Sequence, residues 1–132
     1  MYSSFRESGS ALSAQSQRLN VVASNLANVD AVAGPDGESY KARQVVFQTA
    51  PMGDEGAAGV KVVGIKESDT PGRKVYSPEH PLADEQGYVT HSNVSAVDEM
   101  VDMISASRSY QNNVEVMNTA KTLLLKTLQL GQ

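Results

Sequence analysis

Phe5, Leu12, Leu19 and Leu26 recur every seven residues, and Val22 and Val29 follow three positions after Leu19 and Leu26. Steps of three and four place these side chains on one face of a helix, predicted over residues 8–29. A second helix is predicted from Ser95 to Leu130, with Met100, Met103, Tyr110, Val114, Met117, Leu124 and Leu128 in the same rhythm and Ser107 and Lys121 as polar members. Two helices at the two ends of a chain limit it to a hairpin, a bundle or a helical assembly.

The opposite face of the first helix is small and neutral: Ser10, Ser13, Gln17, Asn20, Ser24 and Asn28, with Arg18 the only charge between Ser8 and Val29. A solvated face usually carries Glu and Lys, so this one suits burial against another protein surface. Asn25 and Asn28 are placed to cap or stitch the helix end. The second helix has an N-cap candidate in Ser95, with Asp98 at N3 and Glu99 beside it. Asp98, Glu99 and Asp102 near its start and Lys121 and Lys126 near its end both favour the helix dipole. Val97, Val101 and Ile104 form another line, and Val116, Ala120, Leu123 and Leu130 a third. One partner helix needs one stripe, so apolar residues on several sides imply several neighbours. Arg108 and Glu115 have no opposite charge at i±3 or i±4, and Asp98 and Asp102 are like charges at i,i+4.

Between the helices the period changes. Residues 40–49, 60–65, 74–76 and 87–90 are rich in β-branched and aromatic residues and read as strands. Pro51-Met52-Gly53, Thr70-Pro71-Gly72 and Ser77-Pro78-Glu79-His80-Pro81 separate them, Gly34-Pro35-Asp36-Gly37 is a turn, and Gly53 to Gly59 reads as a mobile loop. The fold class is therefore α+β: long terminal helices packed as a coiled-coil-like α-helical hairpin, with a small β-rich insert between them. The expected divisions are 1–33 for the first helix and its loop, 34–92 for the insert and 93–132 for the second helix.

Two Phe, five Tyr and no Trp in 132 residues leave little with which to build an internal core, which favours apolar stripes completed by partners. A net charge of −4 without a basic cluster excludes nucleic-acid binding through phosphate neutralisation. No run approaches the roughly 18 apolar residues of a membrane span. The start lacks a basic region followed by an apolar run, so a cleavable secretory signal is not expected. With no cysteine there is neither disulfide nor thiolate metal site. His80 and His91, near Glu79, Asp84 and Glu85, lack metal-ligand spacing and read as exposed loop imidazoles. Asn93-Val94-Ser95 fits a glycosylation sequon but reads as a helix start. Nucleophile elbows, phosphate loops and dinucleotide fingerprints are missing, so neither enzyme activity nor a cofactor is expected.

Residues 8–30, centred on Ala23-Ser24-Asn25-Leu26-Ala27-Asn28, resemble the N-terminal signature of the flagellar rod and hook proteins. Residues 99–118 resemble the other end of that family, with Ser107-Arg108-Ser109-Tyr110 followed by Asn113-Val114-Glu115-Val116 in the rod form. Chain length, Gly34-Pro35-Asp36-Gly37, Val45-Val46-Phe47-Gln48, Pro81-Leu82-Ala83-Asp84 and Leu128-Gln129-Leu130-Gly131-Gln132 are similar to the proximal-rod members. Asp30-Ala31-Val32-Ala33 differs from the Asn-Thr-Pro-Gly-Tyr of hook relatives.

The resemblance implies a subunit of the basal-body rod, sent out by the flagellar type III export apparatus and crossing the periplasm, with terminal helices lining a hollow helical shaft and the insert facing outward. The implied partners are further copies of itself, other proximal rod proteins of the FlgB and FlgF types, a rod-base adaptor of the FliE type and a distal rod protein of the FlgG type. The expected assembly residues are Leu12, Leu19, Val22, Asn25, Leu26 and Asn28 on the first helix. On the second they are Met100, Met103, Ile104, Arg108, Tyr110, Val114, Met117, Leu124 and Leu128. The alternative is a two-helix binding module with a ligand-holding insert, which would protect residues 95–130 from hydrogen exchange in a monodisperse monomer.

Overall fold

The computed structural model describes residues 2–35, 37–51 and 58–131. Helix α1 spans Tyr2–Ala27, followed by strands β1 (Arg43–Pro51), β2 (Ala58–Glu67), β3 (Lys74–Tyr76) and β4 (Tyr88–Thr90), and helix α2 spans Ala96–Leu130. Two terminal helices flanking a small two-sheet β insert make the chain α+β, as expected. β1 pairs with β2, and β3 with β4.

α1 begins six residues earlier than the apolar rhythm suggested, since nothing from Tyr2 to Glu7 breaks a helix. It ends two residues earlier, at Ala27. Asn28 turns its side chain back onto the Ser24 carbonyl (2.8 Å), and its own carbonyl accepts from Ala31 N–H (3.0 Å). Loose carbonyls of the last turn are thereby satisfied. At the start of α2 the expected cap is present: Ser95 Oγ accepts from Asp98 N–H (3.4 Å) and Ser95 O from Glu99 N–H (3.0 Å).

The chain forms two compact units. One comprises Met1–Leu19, Val45–Gly64 and Ile104–Gln132, the other Asn20–Gln44 and Ile65–Met103. Each unit includes a part of α1 and a part of α2. In the first unit the buried helix positions are small: Ser8, Ala14, Ala106 and Ala120. The large residues of the heptad in that unit, Leu12, Leu19, Val114, Met117 and Leu124, are only partly covered. Ser10 ties the same unit together, accepting from Val60 N–H (3.0 Å) while donating to Glu7 O (2.9 Å).

In the second unit β3 and β4 run antiparallel, with Lys74 opposite Thr90, Val75 opposite Val89 and Tyr76 opposite Tyr88. Asp84 Oδ1 organises the connecting turn by accepting from Gln86 and Tyr88 N–H (both 2.9 Å). Gly87 has φ +87° and is a turn residue, which is why β4 opens at Tyr88 and not at Gly87 as expected. Gly37 N–H reaches Gly34 O (2.9 Å), in agreement with a turn there, though Asp36 lies outside the described residues. Ala58 and Gly59, expected in a mobile loop, belong to β2, and residues 53–57 of that expectation lie outside the described residues.

His91 corrects another expectation. It forms an isolated bridge with Val32, is only partly exposed, and its Nδ1 is buried without a hydrogen-bond partner. His80 is also partly buried, its Nδ1 accepting from Leu82 N–H (3.0 Å) within its own turn. Among the described residues no helix is long and apolar enough to cross a membrane.

Candidate assembly interface

Asn25 is fully buried, and every hydrogen-bonding group of its amide is used. Its Nδ2 donates to Arg43 O (2.8 Å) and Glu99 Oε1 (3.0 Å), while Oδ1 accepts from Tyr40 O–H (2.8 Å) and Arg43 N–H (3.0 Å). One side chain on α1 thus fixes the start of β1, the preceding loop and the first turn of α2. The Tyr40 hydroxyl also lies 3.2 Å from Ser24 Oγ, and the Arg43 guanidinium sits 5.8 Å from the Tyr40 ring centre. The sequence suggested stitching by Asn25 and Asn28, and both side chains do stitch the end of α1.

Glu99 is held above the ordinary carboxylate value of 4.5, first because burial disfavours its charge. The Asn25 hydrogen bond works against that rise, whereas Asp102 and Asp98 add to it. Its second oxygen, Oε2, is buried and has no partner in the chain.

Asn93 forms a second node. Its Oδ1 accepts from Ala42 N–H (2.6 Å), and its Nδ2 donates to Thr70 O (2.7 Å) and Ser68 O (3.4 Å). Ser92, fully buried, donates to Val29 O (2.7 Å). The amide of the sequon is therefore engaged in holding the entrance to α2. Tyr40, Glu99, Ser92 and Asn93 were not among the expected site residues. Their partners lie 15 to 74 residues away in the chain, and no local pattern announces such bonds.

The expected interface residues separate by depth. Val22 and Asn25 are buried within the chain itself. Leu12, Leu19, Leu26, Asn28, Met103, Val114, Met117 and Leu124 are half-buried. Met100, Ile104, Arg108, Tyr110 and Leu128 are at least partly exposed, with Met100, Ile104 and Leu128 each more than half so. Val97, Val101, Leu123, Leu125 and Leu130 join them as exposed apolar side chains on α2. On α1 the exposed positions from Ser13 to Ala27 (Ser13, Ser16, Gln17, Asn20, Ala23 and Ala27) carry no charge, and Arg6 is the exposed charge that precedes them. Among the described residues no group of His, Asp or Glu is arranged to hold a metal ion.

Two long terminal helices around a small β insert, with apolar side chains bare along α2, define an α+β chain whose distinguishing parts are its two helical ends. Sequence comparison agrees at both ends. Residues 5–35 match the family model "Flagella basal body rod protein", and residues 85–130 match "Flagellar basal body rod FlgEFG protein C-terminal". The chain is 59% identical over 128 residues to the flagellar basal-body rod protein FlgC of Escherichia coli O6:H1, covering 97% of this chain and 96% of that one. It is 58% identical, with the same coverage, to FlgC of Salmonella typhimurium LT2, and 37% identical to FlgC of Buchnera aphidicola from Baizongia pistaciae, covering 100% of this chain and 98% of that one. The chain belongs to the FlgC family of flagellar basal-body rod proteins.

Proposed function

We propose that this chain, a structural subunit of the flagellar basal-body rod, polymerises through the outward faces of its two terminal helices. The observation that carries this reading is the set of bare apolar side chains on α2, where Val97, Met100, Val101, Ile104, Leu123, Leu125 and Leu128 are all more than half exposed. Apolar exposure on that scale along one helix marks a surface meant to be covered. The uncharged exposed positions of α1 from Ser13 to Ala27 supply a second contact where small residues admit a close neighbour. Val22 and Asn25 serve the interface from within, by fixing the elements that present it.

The resulting polymer is the proximal part of a hollow helical shaft that transmits motor torque and lets exported subunits pass. Its contacts are heterologous and do not close on themselves. Neighbours are further copies, proximal rod proteins of the FlgB and FlgF types, a FliE-type adaptor at the base and a FlgG-type distal rod protein. Delivery is by the flagellar type III apparatus, and the finished rod crosses the periplasm. The role is one of assembly and not of catalysis. A ligand-holding insert is not favoured by relatives that are all named as rod proteins.

The test is Met100→Asp and Leu128→Asp, each at a position more than half exposed. Each variant is expected to keep the helix content and thermal midpoint of the parent, since exposed substitutions change stability by only about 0.5 kcal/mol. Each is also expected to abolish swimming in soft agar, because a buried, unpaired carboxylate blocks the contact. Normal swimming in both variants would contradict the proposal.

A further inference from the structure

In the second unit a groove of about 500 Å³ opens between residues 42–44, 66–69 and 98–102. Its charged lining is unbalanced: Arg43 and Lys66 stand against Glu67, Asp69, Asp98, Glu99 and Asp102. Arg43 is engaged with Glu67, at 3.6 Å. Glu99 Oε2 is buried in this unit with no donor from its own chain. Val101 lines the groove, 63% exposed, and Val97 beside it is 70% exposed. Acceptor charge and bare apolar surface therefore occur together at the start of α2.

The last turns of α2 carry the complement. Lys121, Leu125 and Leu128 follow one another at steps of four and three, so they share a helix face, and all three are exposed. Lys121 has no acidic residue at i±3 or i±4. An ammonium flanked by two leucines matches an acidic groove flanked by two valines in both charge and apolarity. An opposite-sign, apolar-rimmed pair of surfaces on one chain is the pattern expected of a contact between copies.

We propose that this groove receives the C-terminal turns of α2 from a second copy of the chain, with Lys121 donating to the exposed acidic lining at Asp98 and with Leu125 and Leu128 covering Val97 and Val101. This inference rests on the rod-subunit reading and adds to it which surface meets which. The contact joins two different patches, so each copy keeps one groove and one helix end for further neighbours.

The chain has no cysteine, so introduced thiols report a contact without background. Basal bodies are purified from cells whose only copy of the chain carries Val101→Cys and Leu125→Cys, then oxidised mildly. Disulfide-linked dimers and longer ladders are expected from the double variant, and monomer alone from either single variant. In parallel, Asp98→Lys is expected to lower recovery of the chain in basal bodies about tenfold, by turning an attraction into a repulsion, and Lys121→Asp added to it to restore recovery to within about twofold. A loss due to damaged folding at the start of α2 would not be repaired by a change near its other end.

If the double-cysteine chain enters basal bodies but gives no inter-copy disulfide, the inference is overturned and the rod reading stands. If that chain does not enter them, the charge exchange decides, and absence of rescue overturns the inference. If the unaltered chain is missing from basal bodies, the rod reading falls, and the inference with it.

Discussion

Replacing Asn25 with Ala is expected to destabilise the chain by about 3–5 kcal/mol, the scale set by several buried polar groups losing their partner at once. The amide makes four hydrogen bonds from a fully buried site, at 2.8 to 3.0 Å. Without it the Arg43 N–H and carbonyl, the Tyr40 hydroxyl and Glu99 Oε1 all lose a partner. Urea denaturation followed by circular dichroism should show the loss as a lower midpoint. Coincident midpoints for the Asn25→Ala variant and its parent would mean that water replaces the amide without penalty.

Asn25→Asp sharpens the same test, because it places a carboxylate where Nδ2 now stands 3.0 Å from Glu99 Oε1. Two carboxylates at that distance cannot both ionise cheaply, so one is held protonated above its unfolded value. A folded state that binds more protons than the unfolded state loses stability as pH rises through the interval between the two values. The Asn25→Asp variant should therefore be least stable at neutral pH and recover as pH falls toward 4.5. Glu99 alone follows the same sign, since its value is also raised. Glu99→Gln, which keeps an acceptor for Asn25, is expected to flatten the stability profile in the interval just above 4.5.

The second large effect is expected at Gly72. A Cβ built there would overlap the His91 carbonyl oxygen and lie 2.7 Å from Ser39 Oγ and 2.9 Å from Thr90 Cγ2. The next residue, Arg73, holds the pairing through its carbonyl, which accepts from His91 N–H at 2.7 Å. Backbone must move, and the adjoining β3–β4 register moves with it. Gly72→Ala should cost about 2–4 kcal/mol, in the range of forced overpacking. Gly64→Ala is the control, because nothing lies within 4 Å of a Cβ there. A Gly72→Ala midpoint equal to that of Gly64→Ala would show that the segment yields freely.

The two nodes show what the sequence conveys and what it hides. Helix type, strand positions and the Ser95 cap follow from local rules of period and hydrogen bonding, and these were readable. The role of Gly72 was not, because Thr70-Pro71-Gly72 reads as a turn whether or not His91 lies against it. The buried helix positions were hidden for a different reason. Heptads draw the eye to Leu12, Leu19 and Met117, yet the buried helix positions of that unit are Ser8, Ala14, Ala106 and Ala120. Small residues carry little weight in an apolar pattern, even where they are the most deeply buried. The larger ones stay half-covered, and the outermost residues of α2 are left bare. Asn25 and Asn28 stood inside a recognisable family signature, but the partners that give Asn25 its meaning, Arg43 and Glu99, are 18 and 74 residues away.

Single cysteines at Met100, Leu123 and Leu128, with one at Lys61 in the insert, test the central claim most directly. All four positions are at least partly exposed in the isolated chain, and the protein has no cysteine of its own. Maleimide labelling is then compared between purified chain and intact basal bodies. The account predicts that all four react in the isolated chain, that the three helix positions become protected in the basal body, and that Lys61→Cys stays reactive. Equal labelling of the helix positions in both states would mean that no neighbour covers those faces, and would contradict assembly through the terminal helices.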